Sequence, residues 1–180
     1  MEDSSQEQSQ AEFRDPTEQE QREMEQRYLD AQNDRGLLSI HEAGHAAIAN
    51  HFDMGIVRVV VRPGNRTSYT EVRKRPPSKE TLHQDLVMAL AGYYAGLKET
   101  GEDWIANIHC GYDNQFMFDI FAALSIGPEE QKQWMKEAMP VSQQLVDKYW
   151  PVIKRIADAL VEKGDVTGEE VRRIVIESRS

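Results

Sequence analysis

Residues 37–52 place the strongest restriction on the possible folds of this chain. Their apolar positions recur with the spacing of a buried helix face. These positions are Leu37, Ile40, Gly44, Ala47, Ile48 and Phe52. Gly55 follows shortly afterwards, and glycine commonly comes just after the C-terminus of a helix. The pattern therefore predicts a core helix that ends before Gly55.

The predicted helix contains the sequence His41-Glu42-Ala43-Gly44-His45. Residues four apart lie on the same side of a helix, so His41 and His45 can bind one Zn²⁺ together. Glu42 projects about 100° away round the helix axis, where its carboxylate can take a proton from metal-activated water. The pattern predicts a zinc-dependent peptidase site with His41 and His45 as ligands and Glu42 as general base. The competing interpretation is a solvated helix turn, and the small residues Ala43 and Gly44 argue against it.

A third protein ligand is still needed, because a catalytic zinc site usually combines three protein ligands with one water. The downstream candidates are His109, Asp113 and Asp119. No further histidine follows at the spacing H-E-x-x-H-x-x-G-x-x-H. His51 lies six residues after His45 and is predicted to be a surface or packing residue.

The remaining segments predict a mainly α fold with a small β-hairpin. Residues 56–61 are rich in β-branched side chains and read as a strand, and residues 68–72 can pair back after a turn at 63–65. Further helices are predicted at about 79–98, 113–125, 141–161 and after Thr167, with an irregular stretch at 102–112. Pro151 is expected to break or kink the third of these helices.

Charge divides the chain into two parts. Residues 1–34 hold 11 acidic residues against 3 arginines, a net charge of −8, whereas the whole chain carries −10. We therefore predict an acidic, Gln/Glu-rich tail at 1–35, disordered in 1–15 and otherwise partly helical, followed by a zinc metallopeptidase domain at 36–180. The nearly neutral body lacks the basic footprint that binds nucleic acid or an anionic membrane.

The cysteine content and the N-terminus favour the cytoplasm. Cys110 is the single cysteine, so no internal disulfide can form and a reducing compartment is expected. No apolar run reaches the roughly 18–20 residues that cross a bilayer. The acidic N-terminus does not have the basic-then-apolar pattern of a signal peptide.

Several segments together resemble a known family. IHEAGHAAI at residues 40–48 resembles the zinc helix in the peptidase domain of FtsH-type proteases. Three later segments resemble that domain in the same order: VRVVVRPG at 57–64, LAGYYAG at 90–96, and the closing run 153–175. The resemblance covers about residues 37–177 and implies an FtsH-peptidase-like helical domain that carries a HExxH zinc helix.

The resemblance also implies a third ligand. In that family an Asp after a glycine-containing loop, at the start of a helix, completes the zinc site, and Asp113 after Gly111 matches this description. A gapless match would put Gln115 there instead, and an amide is a poor zinc ligand. Tyr93 and Gly96 stand where the family usually has Arg and Glu, so part of the support for the site is expected to differ.

The ATPase module of the family has no counterpart here, since no G-x-x-x-x-G-K-[ST] phosphate loop occurs. The expected substrates are therefore flexible or unfolded polypeptides, or clients delivered by a partner ATPase or regulatory protein. Two interpretations of the strand at 56–62 stay open: its edge takes an extended peptide, or the hairpin only packs the core. The alternative is a catalytically silent FtsH-peptidase-like adaptor or regulatory binding protein. The oligomeric state is left open.

Overall fold

Three long helices pack against one another and enclose most of the core. The computed structural model describes residues 15–64 and 68–178, so the predicted disorder of 1–15 falls, apart from Asp15, outside the described residues. The elements are α1 (Glu18–Asn33), α2 (Arg35–His51), β1 (Ile56–Val60), β2 (Tyr69–Val72), α3 (Lys79–Thr100), α4 (Asp103–Ile108), α5 (Gly111–Ala123), α6 (Pro128–Lys163), β3 (Asp165–Thr167) and α7 (Gly168–Glu177).

The core lies where α2, α3 and α6 meet. Its largest fully buried side chains include Ile48, Leu82, Leu86, Ile153, Ile156 and Leu160. Gly44 lets α2 and α3 approach closely, because a Cβ at this position would lie 2.6 Å from the Ala91 carbonyl oxygen. The small residues of the two helices therefore set the distance between their backbones.

A three-stranded antiparallel sheet covers one side of the helices in the order β2-β1-β3. Val59 of β1 faces Thr70 on one side and Val166 on the other. The predicted hairpin is thus part of a larger sheet. The expectation that the strand at 56–62 offers a free edge is wrong, because β1 is the central strand and both of its edges are paired. The outer strand next to it is β2.

The single helix α6 corrects the predicted start at 141. Of the two alternatives predicted at Pro151, a break or a kink, it excludes the break. Pro128 occupies the first turn, and the helix runs for 36 residues with Pro140 and Pro151 inside it. Both prolines are exposed, so the freed carbonyls can face solvent. Neighbouring buried residues such as Val152 and Ile153 keep the helix packed on the core.

The stretch predicted to be irregular at 102–112 contains the short helix α4 and the start of α5. Asp113 is consequently the third residue of α5 and not its N-cap, which is Cys110. The Asp113 carboxylate therefore does not cap this helix and is free for another role. Within the described part of the chain, no helix is both long and apolar enough to cross a membrane.

Candidate metal centre

The three polar residues of the helix motif point into the protein interior. His41, Glu42 and His45 are only 3%, 5% and 4% exposed and lie within a buried run at 38–49 of α2. Burying ionisable groups is unfavourable unless they are paired or bind an ion. Their burial therefore needs a partner from elsewhere in the fold.

Asp113 of α5 supplies that partner. Its Oδ2 lies 3.0 Å from His41 Nε2, and its Oδ1 lies 3.2 Å from His45 Nε2. The two Nε2 atoms are 3.1 Å apart. Ligand atoms around a tetrahedral Zn²⁺ at about 2.0–2.1 Å would be separated by roughly 3.3 Å. The three side chains are thus held almost at the spacing that one small cation requires.

A hydrogen bond orients one of the two imidazoles. His45 Nδ1 donates to the Met88 carbonyl oxygen of α3 at 2.8 Å, which turns Nε2 towards His41 and Asp113. This is the usual arrangement of a metal-binding histidine, whose second nitrogen is fixed by a backbone carbonyl or a carboxylate. Nε2 of His45 can therefore present its lone pair to a cation.

The charges of the cluster balance one another. Burial alone would lower the pKa of His45, but the Asp113 carboxylate outweighs burial and raises the pKa to about 9. Burial alone would raise the pKa of Asp113, but His45 and His41 hold it well below its usual range. A proton on His45 therefore balances the Asp113 carboxylate, and the same donor atoms could hold a metal ion.

Cys110 lies at the border of this cluster. Its Sγ comes within 4.8 Å of donor atoms of His41 and Asp113, so these three buried or half-buried residues form a group that could hold a metal ion. The thiol donates to the Ala106 carbonyl at 3.2 Å, and burial raises its pKa to about 12. Cys110 is thus a protonated thiol beside the cluster. The negative charge of the neighbouring Asp113 carboxylate also favours the protonated form.

Glu42 has a separate environment, one helix position away from His41. Its Oε2 accepts a hydrogen bond of 2.9 Å from the Thr70 hydroxyl of β2, which also lies 3.0 Å from the Glu42 carbonyl oxygen. Burial raises the pKa of Glu42, although His45 and His41 oppose this effect. A carboxylate whose pKa is raised in this way is a stronger base than a solvated one.

A cavity of about 480 Å³ opens beside Glu42. Its walls come from α1, α2, the β1–β2 connection, α4 and α5. The lining residues are Tyr28, Gln32, Asn33, Leu38, Glu42, Arg62, Gly64, Ser68, Ile108, His109, Gly111, Tyr112 and Gln115. The cavity has the size of a small-molecule or side-chain binding pocket and gives Glu42 access to a ligand.

Gly92 of α3 makes room for both imidazole rings. A Cβ at this position would lie 2.5 Å from His41 Cε1 and 2.5 Å from His45 Nε2. Only glycine lacks the atom that would collide. The role of Gly92 was not predicted from the sequence.

The other two predicted ligands, Asp119 and His109, do not join His41, His45 and Asp113. Asp119 is exposed on α5 and accepts a hydrogen bond of 2.7 Å from Gln115 Nε2. The His109 ring centroid is 5.8 Å from that of His41, and its Nε2 is buried without a partner. Burial, helped by His41, lowers the pKa of His109 to about 4. His109 is therefore a neutral neighbour of the cluster.

The predicted surface or packing role of His51 agrees with its position. Its ring is exposed, and its Nδ1 lies 3.0 Å from the Tyr149 hydroxyl. The residues that do converge are therefore His41 and His45 of α2 and Asp113 of α5.

No protein-family model matches this chain, and no curated protein matches it significantly.

Proposed function

We propose that this protein is a zinc-dependent metallopeptidase of the FtsH type that hydrolyses peptide bonds in flexible or unfolded polypeptides. The observation that carries the proposal is the convergence of His41, His45 and Asp113 within 3.2 Å of one another, next to a buried Glu42 that lines a cavity. Two imidazoles and one carboxylate are a common ligand set of hydrolytic zinc sites, which keep a fourth position open.

When bound, Zn²⁺ supplies Lewis acidity, which polarises a carbonyl and makes water more acidic. The chain supplies the remaining functions. His41, His45 and Asp113 hold the ion, Glu42 accepts the proton of the attacking water at its carboxylate, and the same carboxylate can return that proton to the leaving amine.

Two features of β2 indicate where the substrate would bind. Thr70 of β2 donates to Glu42, so this strand lies beside the general base. β2 is also an outer strand of the sheet among the described residues, and an outer strand can pair with an extended peptide. We propose that the substrate pairs with β2, which replaces the original expectation for the strand at 56–62. A peptide substrate with one N-methylated amide should then resist cleavage only when the methyl group replaces a backbone N–H that pairs with β2. This should occur at one or two positions of the peptide.

The test of the function combines metal analysis with cleavage of unfolded casein. We expect close to one zinc per chain in the wild type, with loss of zinc and cleavage in His45→Ala and Asp113→Ala. Glu42→Gln should keep its zinc and lose at least about a hundredfold in cleavage rate. Asp119→Ala is the matched control, because it removes an exposed carboxylate from the same helix and should change neither property.

Other outcomes separate the alternatives. Stoichiometric zinc without cleavage by the wild type, even of unfolded casein, would favour the catalytically silent adaptor. Cleavage that appears only with an added ATPase or regulatory protein would point to a partner-dependent protease. A protein that binds no zinc and cleaves nothing would contradict the proposal outright.

A further inference from the structure

Several apolar side chains are exposed on α1, a helix that lines the cavity beside Glu42. Met24, Tyr28 and Leu29 of α1 are 58%, 45% and 49% exposed, and Trp104 of α4 beside them is 39% exposed. In the described chain, Ala31 is the only buried residue of α1. A surface helix normally turns its apolar stripe towards the core, and contiguous exposed apolar side chains usually mark a binding surface.

These side chains form a groove with defined walls, here called the α1–α4 groove. It encloses about 690 Å³ and is lined by Met24, Glu25, Arg27, Tyr28, Leu29 and Trp104. The Trp104 indole donates to Glu102 at 2.6 Å. The Arg27 guanidinium lies 5.1 Å from the centre of the Trp104 ring and 3.4 Å from Glu102. The polar groups at the rim are therefore paired with one another, which leaves mainly apolar surface for a ligand.

The α1–α4 groove is adjacent to the cavity beside Glu42. Tyr28 lines both of them. A polypeptide whose scissile bond lies near Glu42 would therefore need only to pass Tyr28 to place later side chains in the groove. This adjacency connects the apolar surface with the proposed substrate.

Charge and composition indicate the occupant. Residues 1–14 contain few apolar side chains, so the N-terminal end of the chain is a poor match for the groove. Residues 1–34 carry a net charge of −8, which disfavours the same region of a second copy and favours a basic ligand. The best match is an extended segment with apolar and basic side chains.

We infer that the α1–α4 groove is an accessory site that binds apolar side chains of the polypeptide cleaved beside Glu42. The inference rests on the proposed function and specifies its substrate class: unfolded segments that are rich in apolar and basic residues. Folded proteins bury most of their large apolar side chains, so the groove selects unfolded segments without an ATPase.

The test measures binding separately from cleavage. A fluorescein-labelled peptide of about 20 residues with Leu, Phe and Lys is titrated against zinc-loaded Glu42→Gln protein, and the anisotropy is recorded. A second peptide has Ser at each apolar position. We expect the apolar peptide to bind at least tenfold more tightly. Adding M24S and L29S to the Glu42→Gln protein should weaken its binding about tenfold. Adding Ile176→Ser, which alters an equally exposed residue on α7, should leave it unchanged.

Equal affinity for the two peptides would overturn the inference. The same holds if the variant with M24S and L29S binds the apolar peptide as tightly as the variant with Ile176→Ser. So would sedimentation data that show a wild-type dimer dissociated by M24S and L29S, because the groove would then belong to a second copy. Failure of the proposed function gives a different result: the Glu42→Gln protein binds the apolar peptide, but the zinc-loaded wild type cleaves neither peptide.

Discussion

At the scale of single residues, Gly92 determines whether the two imidazoles can occupy their positions. We predict that Gly92→Ala lowers zinc affinity by at least about tenfold, the size of effect seen when groups that orient metal ligands are lost. The added Cβ would collide with both His41 and His45 at 2.5 Å, and the Met88 carbonyl limits rotation of His45. Zinc affinity is measured by competition with a chromophoric chelator.

Gly96→Ala is the matched control on the same helix. A Cβ there would meet Ala106 at 3.4–3.6 Å, which is ordinary packing. Replacing a glycine inside a helix by alanine stabilises it by roughly 0.5–1 kcal/mol, so this variant should bind zinc normally and unfold at the same or a higher temperature. Equal zinc affinity in the two variants would contradict the role assigned to Gly92.

Thr70 is predicted to be a positioning residue that acts through Glu42. A hydrogen bond to a charged group contributes about 1.5–3 kcal/mol, so Thr70→Val should lower kcat by about tenfold or more while zinc content stays the same. Thr70→Ser keeps the hydroxyl and should restore most of the rate. Loss of activity in both variants would instead indicate that the methyl group and the packing of β2 are what matter.

The sequence predicts part of this site by local geometry alone. Spacing by four places His41 and His45 on one side of α2 with Glu42 beside them, whatever the rest of the fold does. Asp113 is far away along the chain, and only the family resemblance distinguished it from His109 and Asp119. The contributions of Thr70 and Gly92 depend on how β2 and α3 pack on α2, and no local pattern encodes that packing.

At the scale of elements, α7 is held at its start by a capping box. Thr167 Oγ1 accepts from the Glu170 N–H at 3.2 Å, and Glu170 Oε2 accepts from the Thr167 N–H at 3.0 Å. The Lys163 ammonium, with Thr167, lowers the pKa of Glu170 from 4.5 to about 2. This carboxylate therefore contributes stability above about pH 4.5, and the contribution is lost as the pH falls towards 2.

Glu170→Gln should accordingly lower the free energy of unfolding at pH 7 by at most about 1 kcal/mol, because the carboxylate is partly solvated. The difference from wild type should shrink as the pH falls from 4.5 to 2. Chemical denaturation at several pH values measures both effects. Glu169→Gln removes the same charge from the same turn but leaves the ion pair between Lys163 and Glu170 in place. An equal loss in both variants would show that only the helix dipole is involved.

The elements themselves were predictable to different degrees. The mainly helical fold with a small antiparallel sheet is confirmed, since strong periodicity and turn residues identify most of its parts. β3 was missed because it has three residues and one buried side chain, Val166, and exists only by pairing with β1. The continuity of α6 through Pro151 was missed because local propensity argues for a break, whereas packing on α2 and α3 holds the helix together.

At the scale of the whole molecule, the candidate metal centre lies where α5 meets α2. The core is filled by residues of α2, α3, α5, α6, α7 and the sheet, and Asp113 adds a polar link between α5 and α2. Met117, Ile120 and Phe121 of α5 are themselves buried, so this helix has apolar contacts that do not need a metal. The fold should therefore be much less dependent on zinc than a small zinc finger is.

We predict that a chelator lowers the melting temperature of the zinc-loaded protein without abolishing its helical circular dichroism. Binding at a hundred times Kd contributes about 2.7 kcal/mol, which for a chain of this size corresponds to roughly 5–10 °C. Amide exchange should increase mainly in the first turn of α5, around Asp113. Asp113→Ala protein should respond little to the chelator, because its site is already incomplete. Complete loss of helical signal on chelation would mean that the helical core cannot form without the ion, and would make the metal a structural one.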